Sequence, residues 1–308
     1  MLGLSEVGIE LDPWACATRR AAGHRVIRAD VATYPPDHLF GRIEGLIASP
    51  PCQDWSIAGG GAGRAGESGH LVDTVPAWVV ATRPTWVACE LVPPALPVWR
   101  EHAALYRALG YHTWCGLLEA ADYGVPQNRE RAILLASRAG PVSPPAPTHA
   151  EHPATLFGQL HPWVSLAQAL DVPAFVRSRA DGSVLDSARP APTVCGHRRP
   201  AWTSYGVIRT GANTQLADGH RERYEKSTAE PAPTVDSKAG RTWWVHFTEG
   251  GPLKIDTADT LTLQSFRPGY PVQGNKTKRQ EQIGNAIPPL LAAHIIAAVT
   301  GQVIEAAA

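Results

Sequence analysis

The stretch Gly45-Leu46-Ile47-Ala48-Ser49-Pro50-Pro51-Cys52-Gln53-Asp54-Trp55-Ser56 governs how the rest of the chain is read. A short apolar run that stops at a pair of prolines predicts a buried strand ending at Ala48. Pro51 fixes its own φ and restrains Pro50, so the chain approaches Cys52 stiffly. Beyond Ser56 it runs into Ile-Ala-Gly-Gly-Gly-Ala-Gly-Arg-Ala-Gly, which is pliant. A structural cysteine needs neither feature. A nucleophilic one can use both, because a loop position near cationic groups or a helix N-terminus favours the thiolate. The glycine run lacks the Gly-Lys-Ser/Thr ending of a phosphate-binding loop, and a segment that closes over substrate is the better use for it.

Working outward, Val7-Gly8-Ile9-Glu10 predicts a strand that ends in an acid, and Trp14 to Ala22 has helical periodicity. Val26-Ile27 leads to Asp30. Thr74 to Ala81 predicts a helix, Trp86 to Cys89 a strand running to Glu90, Glu101 to Leu109 a helix, and Arg131 to Ser137 another strand. Strands alternating with helices imply an α/β fold with a parallel sheet covered on both faces. Ligands of such sheets bind beyond the carboxyl ends of the strands. Glu10, Asp30, Cys52 and Glu90 each fall just past a predicted strand, so one rim would carry all four.

Composition bounds the function. At 308 residues and 44% hydrophobic, the chain can bury a core and has room for two domains. No apolar run approaches a membrane span and the N-terminus has no leader pattern, so a soluble cytoplasmic protein is expected. Cys16, Cys52, Cys89, Cys115 and Cys195 form no C-x-x-C pair, which argues against a zinc cluster or a disulfide framework. The 28 basic and 28 acidic residues balance overall but not locally. Met1 to Arg131 holds 11 basic and 14 acidic side chains, and Arg189 to Arg241 holds 9 and 5. An acidic body joined to a mildly basic segment fits an enzyme with a polyanion-facing module, and it equally fits ordinary solvated surface.

Four motifs stand in a telling order. These are Pro51-Cys52-Gln53 with Ser56, Glu90 after a strand, Gln127-Asn128-Arg129-Glu130-Arg131, and Gly284-Asn285-Ala286-Ile287-Pro288-Pro289. In that order the chain resembles the cytosine-5 DNA methyltransferases, over about residues 1–137 and 253–300. The resemblance implies a Rossmann-like S-adenosylmethionine-dependent methyltransferase domain and a smaller target-recognition domain. Its partner would be double-stranded DNA, with a cognate restriction endonuclease as the protein to look for, and the chain itself is expected to be a monomer.

The resemblance also implies roles. Cys52 would add to carbon 6 of a cytosine and make carbon 5 nucleophilic, while Glu90 would hydrogen-bond and protonate ring nitrogen 3. Arg131 and Arg129 would hold the base and the loop through charge-assisted hydrogen bonds. S-adenosylmethionine would rest against Glu10, Leu11, Asp30, Pro51, Leu71 and Asn285. Gln53 and Ser56 would meet DNA beside the flipped base. Arg198, Arg199 and Arg241 sit in two basic, tryptophan-bearing segments and are candidates for reading or gripping DNA. Those segments follow an internal echo, Arg189-Pro190-Ala191-Pro192-Thr193-Val194 and Glu230-Pro231-Ala232-Pro233-Thr234-Val235, which reads either as an old repeat or as two packing turns.

Three departures from the family pattern are visible. The F-x-G-x-G loop that follows the family's first strand is not found, Glu90-Leu91-Val92 lacks the usual asparagine, and Ile255 to Thr260 lacks the arginine usual before Leu263-Gln264-Ser265-Phe266. A relative that binds DNA without methylating it is the alternative these departures support. An RNA-methylating relative is the third reading, disfavoured by the long variable region. Ser143 to Thr148 reads as a linker. The expected domains are therefore 1–144 (catalytic), 145–252 (target recognition) and 253–308 (returning to the catalytic domain).

Overall fold

The structure, a computed structural model, describes residues 3–56, 61–155, 158–171, 207–215, 221–227, 231–232, 244–246, 253–254 and 256–304. It divides into two compact units. Unit 1 comprises Met1–Glu119, Glu130–Ala146 and Leu290–Ala308; unit 2 comprises Ala120–Arg129 and Pro147–Pro289.

Unit 1 opens with a parallel β-α-β turn: β1 (Val7–Glu10), α1 (Pro13–Ala21) and β2 (Arg25–Arg28), with Val7 opposite Arg25 and Glu10 opposite Arg28. Asp12 starts α1 by accepting the N–H groups of Trp14 and Ala15, and Pro13 fills a first-turn position that needs no donor. The second sheet has the order β3-β4-β6-β5, from β3 (Gly45–Ala48), β4 (Trp86–Leu91), β5 (His112–Glu119) and β6 (Glu130–Ser137). β3 and β4 run parallel, and β6 lies antiparallel between β4 and β5. Gly45 is demanded by the pairing, since a Cβ there would lie 2.0 Å from the Trp86 ring. Every residue of β4 is buried, as a strand covered on both faces requires. Helices α2 (Thr74–Thr82) and α3 (Leu96–Ala108) supply the cover, with Val79, Val98 and Trp99 packing against Val87, Leu91 and Leu134. The indole N–H of Trp99 is satisfied by the Ala132 carbonyl at 3.0 Å. By contrast, the β1–β2 layer leaves Val7, Leu11, Trp14 and Ile27 exposed.

Unit 2 carries short strands β7 (His149–Ala150), β8 (Ala154–Thr155), β9 (Gly158–Gln159) and β10 (His161–Pro162), followed by helix α4 (Leu166–Leu170). Its main sheet is antiparallel, β12-β11-β13-β14, built from β11 (Val207–Gln215), β12 (Arg221–Ser227), β13 (Trp244–His246) and β14 (Leu253–Lys254). Helices α5 (Thr257–Leu263) and α6 (Lys276–Asn285) follow. Asp256 and Asp259 close a reciprocal cap at the start of α5. Leu166, Ala232, Leu261, Leu263, Val272 and Ile283 form this unit's apolar core.

Several expectations are corrected. Glu90 lies within β4, whose pairing with β6 extends to Leu91. Helix α3 starts at Leu96, because Pro97 suits a helix's first turn. Strand β5 was not read, since His112–Glu119 lacks a clean alternation. By compactness, residues up to Ala146 outside Ala120–Arg129 group with Leu290–Ala308, and residues 147–289 group with Ala120–Arg129. One stretch among the described residues, Lys276–Thr300, is long and apolar enough by composition to cross a membrane. The chain breaks it at Ala286 to Pro288, and the following helix α7 (Pro289–Thr300) buries Leu291, Ala293, Ile295 and Val299.

Candidate active site

Strand β3 delivers Ser49, Pro50, Pro51 and Cys52 in order at its carboxyl end. Cys52 opens a 3-10 turn over Gln53–Trp55, and its carbonyl accepts the N–H groups of Trp55 (3.1 Å) and Ser56 (2.9 Å). The residue is half-buried and packs against the edge of the unit 1 core. The four described cysteines are all free thiols. Burial raises the pKa of Cys16, Cys89 and Cys115, which disfavours their thiolates. Among the described cysteines Cys52 and Cys115 are half-buried, and of these two Cys52 is the one on a loop beyond a strand's carboxyl end. Cys195 lies outside the described residues.

Glu90, 8 % exposed, is held at both oxygens. Ser49 Oγ donates to Oε2 at 2.6 Å, and Arg131 Nε pairs with Oε1 at 2.9 Å. The Ser49 bond ties the loop that bears Cys52 to the carboxylate on β4. Arg131, buried on β6, also donates from Nη1 to the Glu130 carbonyl at 2.7 Å. Cys52, Ser49, Glu90 and Arg131 thus form one cluster of motif residues in unit 1, joining a thiol-bearing loop to a carboxylate fixed by a guanidinium. Ser49 carried no role in the sequence reading. Its place between strand and prolines is the only signal that could have found it.

Arg129 sits elsewhere. It is 2 % exposed in unit 2, and its Nη2 donates to the carbonyls of Gly284 and Ala286, each at 3.0 Å. Arg129 thus braces the turn that carries Asn285, the exposed last residue of α6. Gln127, fully buried, donates to the Leu263 carbonyl (2.9 Å) and to Gln264 Oε1 (2.8 Å), and Gln264 Nε2 donates to the Ile283 carbonyl (2.7 Å). Three sequence motifs meet in this network, all within unit 2. The second copy of the internal echo joins it: Ala232 N–H donates to the Pro126 carbonyl (2.8 Å), and Asn128 N–H donates to the Ala232 carbonyl (2.7 Å). Ala232 thereby forms an isolated parallel β-bridge with Gln127, while the first copy lies outside the described residues. Replacing Gln264 by leucine should cost about 2–3 kcal/mol, since it strands buried polar groups on Gln127 and Ile283. Denaturant unfolding measures this, and a loss within about 0.5 kcal/mol, the range of ordinary surface changes, would remove the network as the cause.

Of the expected cofactor residues of unit 1, Glu10, Leu11, Asp30 and Pro51 lie at or just past strand ends, and Leu71 lies in the 3-10 turn Gly69–Asp73. Glu10 closes β1, with Oε1 accepting the Asp12 N–H at 2.8 Å. Asp30 follows β2 and its Oδ1 accepts the Ala32 N–H at 2.9 Å. Pro51 and Leu71 are half-buried, and Leu11 is 60 % exposed. Gln53 is exposed, and Ser56 Oγ donates to the Gln53 carbonyl at 3.1 Å. Arg198, Arg199 and Arg241 lie outside the described residues. Among the described residues no group of His, Cys, Asp and Glu could hold a metal ion.

The chain and its fold are similar to known proteins. The family model for C-5 cytosine-specific DNA methylase matches residues 3–301. Type II methyltransferase M1.HphI of Haemophilus parahaemolyticus is 25% identical over 325 residues, covering 95% of this chain and 80% of that protein. Type II methyltransferase M.NgoFVII of Neisseria gonorrhoeae is 26% identical over 317 residues, covering 94% and 80%. Among solved structures, a DNA modification methyltransferase encoded within an E. coli prophage superposes with a TM-score of 0.60 at 17% identity, covering 96% of this chain and 92% of that one. The Entamoeba histolytica methyltransferase EhMeth gives 0.59 at 11% identity, covering 96% and 89%.

Proposed function

The chain belongs to the C-5 cytosine-specific DNA methylase family, and from that premise we propose that it methylates carbon 5 of a flipped-out cytosine in a specific double-stranded DNA sequence, through a covalent adduct on Cys52. The observation that carries this reading is the Cys52 loop bonded through Ser49 to the Glu90 carboxylate, itself paired with Arg131.

The Cys52 thiolate donates an electron pair to carbon 6 of the cytosine, forming the S–C6 bond. The displaced ring electrons make carbon 5 nucleophilic. Glu90 hydrogen-bonds ring nitrogen 3 and supplies the proton that stabilises the adduct, while Arg131 fixes the carboxyl group in place. S-adenosylmethionine, when bound, would supply an electrophilic methyl group to carbon 5, with S-adenosylhomocysteine as the leaving group. Methylated carbon 5 then loses its proton to solvent, the electron pair left behind re-forms the 5,6 double bond and expels the Cys52 sulfur as thiolate, and ring nitrogen 3 returns its proton to Glu90. A stacked base hides carbon 6, so the base must leave the duplex first.

The unit 1 residues suit that cofactor. The Glu10 carboxylate, with one oxygen taken by Asp12, has a second to offer ribose hydroxyls. Asp30 can accept from an adenine amino group, and exposed Leu11 offers apolar surface to the ring. Asn285 in unit 2 is assigned to the same ligand. Gln53 and Ser56, with Arg198, Arg199 and Arg241, are assigned to DNA. The chain works in the cytoplasm as a monomer, and its likeness to Type II methyltransferases supports a cognate restriction endonuclease as partner.

Methyl-labelled cofactor incubated with duplex DNA, followed by bisulfite sequencing, tests the reading. Label at carbon 5 of cytosine within one DNA word is expected, and no label on any duplex overturns it. Glu10→Ala should weaken cofactor binding about tenfold, the effect of losing a hydrogen bond to a charged group. Titration calorimetry reads this, and unchanged affinity would move the ribose site away from Glu10.

A further inference from the structure

On either side of residues 57–60, which lie outside the described residues, the chain after Cys52 is closely bonded to itself. The described part resumes at Gly61. Asp54 Oδ2 accepts both the backbone N–H of Ser68 (2.7 Å) and its hydroxyl (2.8 Å), bonds that lower the pKa of Asp54. Alongside, the buried Trp55 donates its indole N–H to the Gly69 carbonyl at 3.2 Å. Two glycines record how closely these strands of chain approach. A Cβ on Gly66 would lie 2.2 Å from Asp54 Cγ, and one on Gly69 would lie 1.7 Å from the Gly63 carbonyl oxygen. Farther along, Arg64 Nη2 reaches Glu101 Oε2 at 2.6 Å and Asp73 Oδ1 at 3.2 Å, which pins the same segment to α3.

The proposed chemistry gives Asp54 no task. Yet Asp54 and Trp55 lie in the 3-10 turn that Cys52 opens, and the turn's hydrogen bonds end on the Cys52 carbonyl. Whatever holds that turn holds the backbone from which the thiol projects. We propose that Asp54 is a positioning residue for Cys52: its clasp on Ser68, with the Trp55–Gly69 bond beside it, sets the orientation in which the thiol meets its electrophile. This rests on Cys52 being the reactive thiol of the proposed function. A misplacement of about 1 Å in such a group costs up to about 100-fold in rate, so a clasp of two hydrogen bonds to one carboxylate oxygen has leverage on catalysis.

The test needs neither DNA nor cofactor. The full chain is treated with iodoacetamide under native conditions, and peptide mass spectrometry follows each cysteine. In this reaction a sulfur–carbon bond forms, iodide leaves, and the thiol proton goes to buffer. In Asp54→Ala the half-buried Cys52 should react about fivefold faster, as the turn relaxes toward solvent, while Cys115 on β5 keeps its parental rate. Ser68→Ala, which leaves the backbone bond, should give about a twofold rise, and the double variant should be no faster than Asp54→Ala alone. In methyl transfer, Asp54→Ala should lower kcat about tenfold with KM for DNA within about twofold. A thiol that reacts faster while turnover falls is the mark of lost positioning.

The idea fails if Cys52 in Asp54→Ala reacts at the parental rate, or if Cys52 and Cys115 accelerate together, which marks general loosening. Should Asp54→Ala not fold, Ser68→Ala decides by the same comparison. A parent protein that never methylates DNA but shows the expected alkylation pattern overturns the proposed function and leaves the positioning intact.

Discussion

Replacing Cys52 by alanine should abolish methyl transfer, with a fall on the order of 10,000-fold or more, because a covalent route loses its nucleophile outright. Cys16 and Cys89 are buried, and Cys115 sits on β5 with its thiol pKa raised by burial. The fold should tolerate the change, since Cys52 is half-buried at the core's edge and the substitution removes one sulfur. A duplex with 5-fluorocytosine at the target gives the complementary readout. Fluorine cannot leave carbon 5 as the proton does, so the adduct cannot resolve. The parent protein with cofactor should therefore give a DNA complex that survives denaturation, and Cys52→Ala should give none. Cys52→Ala retaining activity within about tenfold of the parent would assign the nucleophile elsewhere, since loss of a true nucleophile costs far more.

The Glu90–Arg131 pair carries the second large effect, and its two partners separate stability from chemistry. Arg131→Ala leaves a nearly buried carboxylate with Ser49 as its described partner. Breaking a buried pair from one side costs about 3–5 kcal/mol, far more than an exposed pair is worth. Unit 1 should lose about 3 kcal/mol, seen as faster hydrogen exchange of β4 and β6 amides and a melting point lower by roughly 6–12 °C. Glu90→Gln should behave differently. Its amide oxygen can still accept from Ser49 or Arg131, so the fold suffers less, but it has no carboxyl proton to lend to ring nitrogen 3. A fall in kcat of about 100-fold or more is expected. Parental exchange rates in Arg131→Ala would show that the pair is effectively solvated, and parental turnover in Glu90→Gln would remove the carboxyl group from the chemistry.

Local pattern determined a good deal of this protein on its own. Periodicity and punctuation located β1, β3, α1, α2 and β4 within a few residues, because each is a short apolar run whose ends are marked by proline, glycine or a capping acid. The same pattern put Glu10, Asp30 and Cys52 at strand ends, since the residues that close a strand are its neighbours in sequence. The motif order named the family.

Tertiary structure alone decided which motif residues act together. Arg129 and Arg131 are two positions apart and look equivalent in sequence, yet the chain divides between them. Arg131 pairs with Glu90 across β4 and β6 in unit 1, while Arg129 bonds to backbone carbonyls 155 and 157 residues away in unit 2. Gln127 and Gln264, 137 residues apart, satisfy each other in a buried site. Both residues lie in unit 2. Asp54 likewise gains its meaning from Ser68, fourteen residues on, across a glycine run that by composition promised only looseness. The physical reason is the same each time. A buried polar group must find a partner wherever the fold brings one, and a one-dimensional pattern records which groups need partners without recording where they are found.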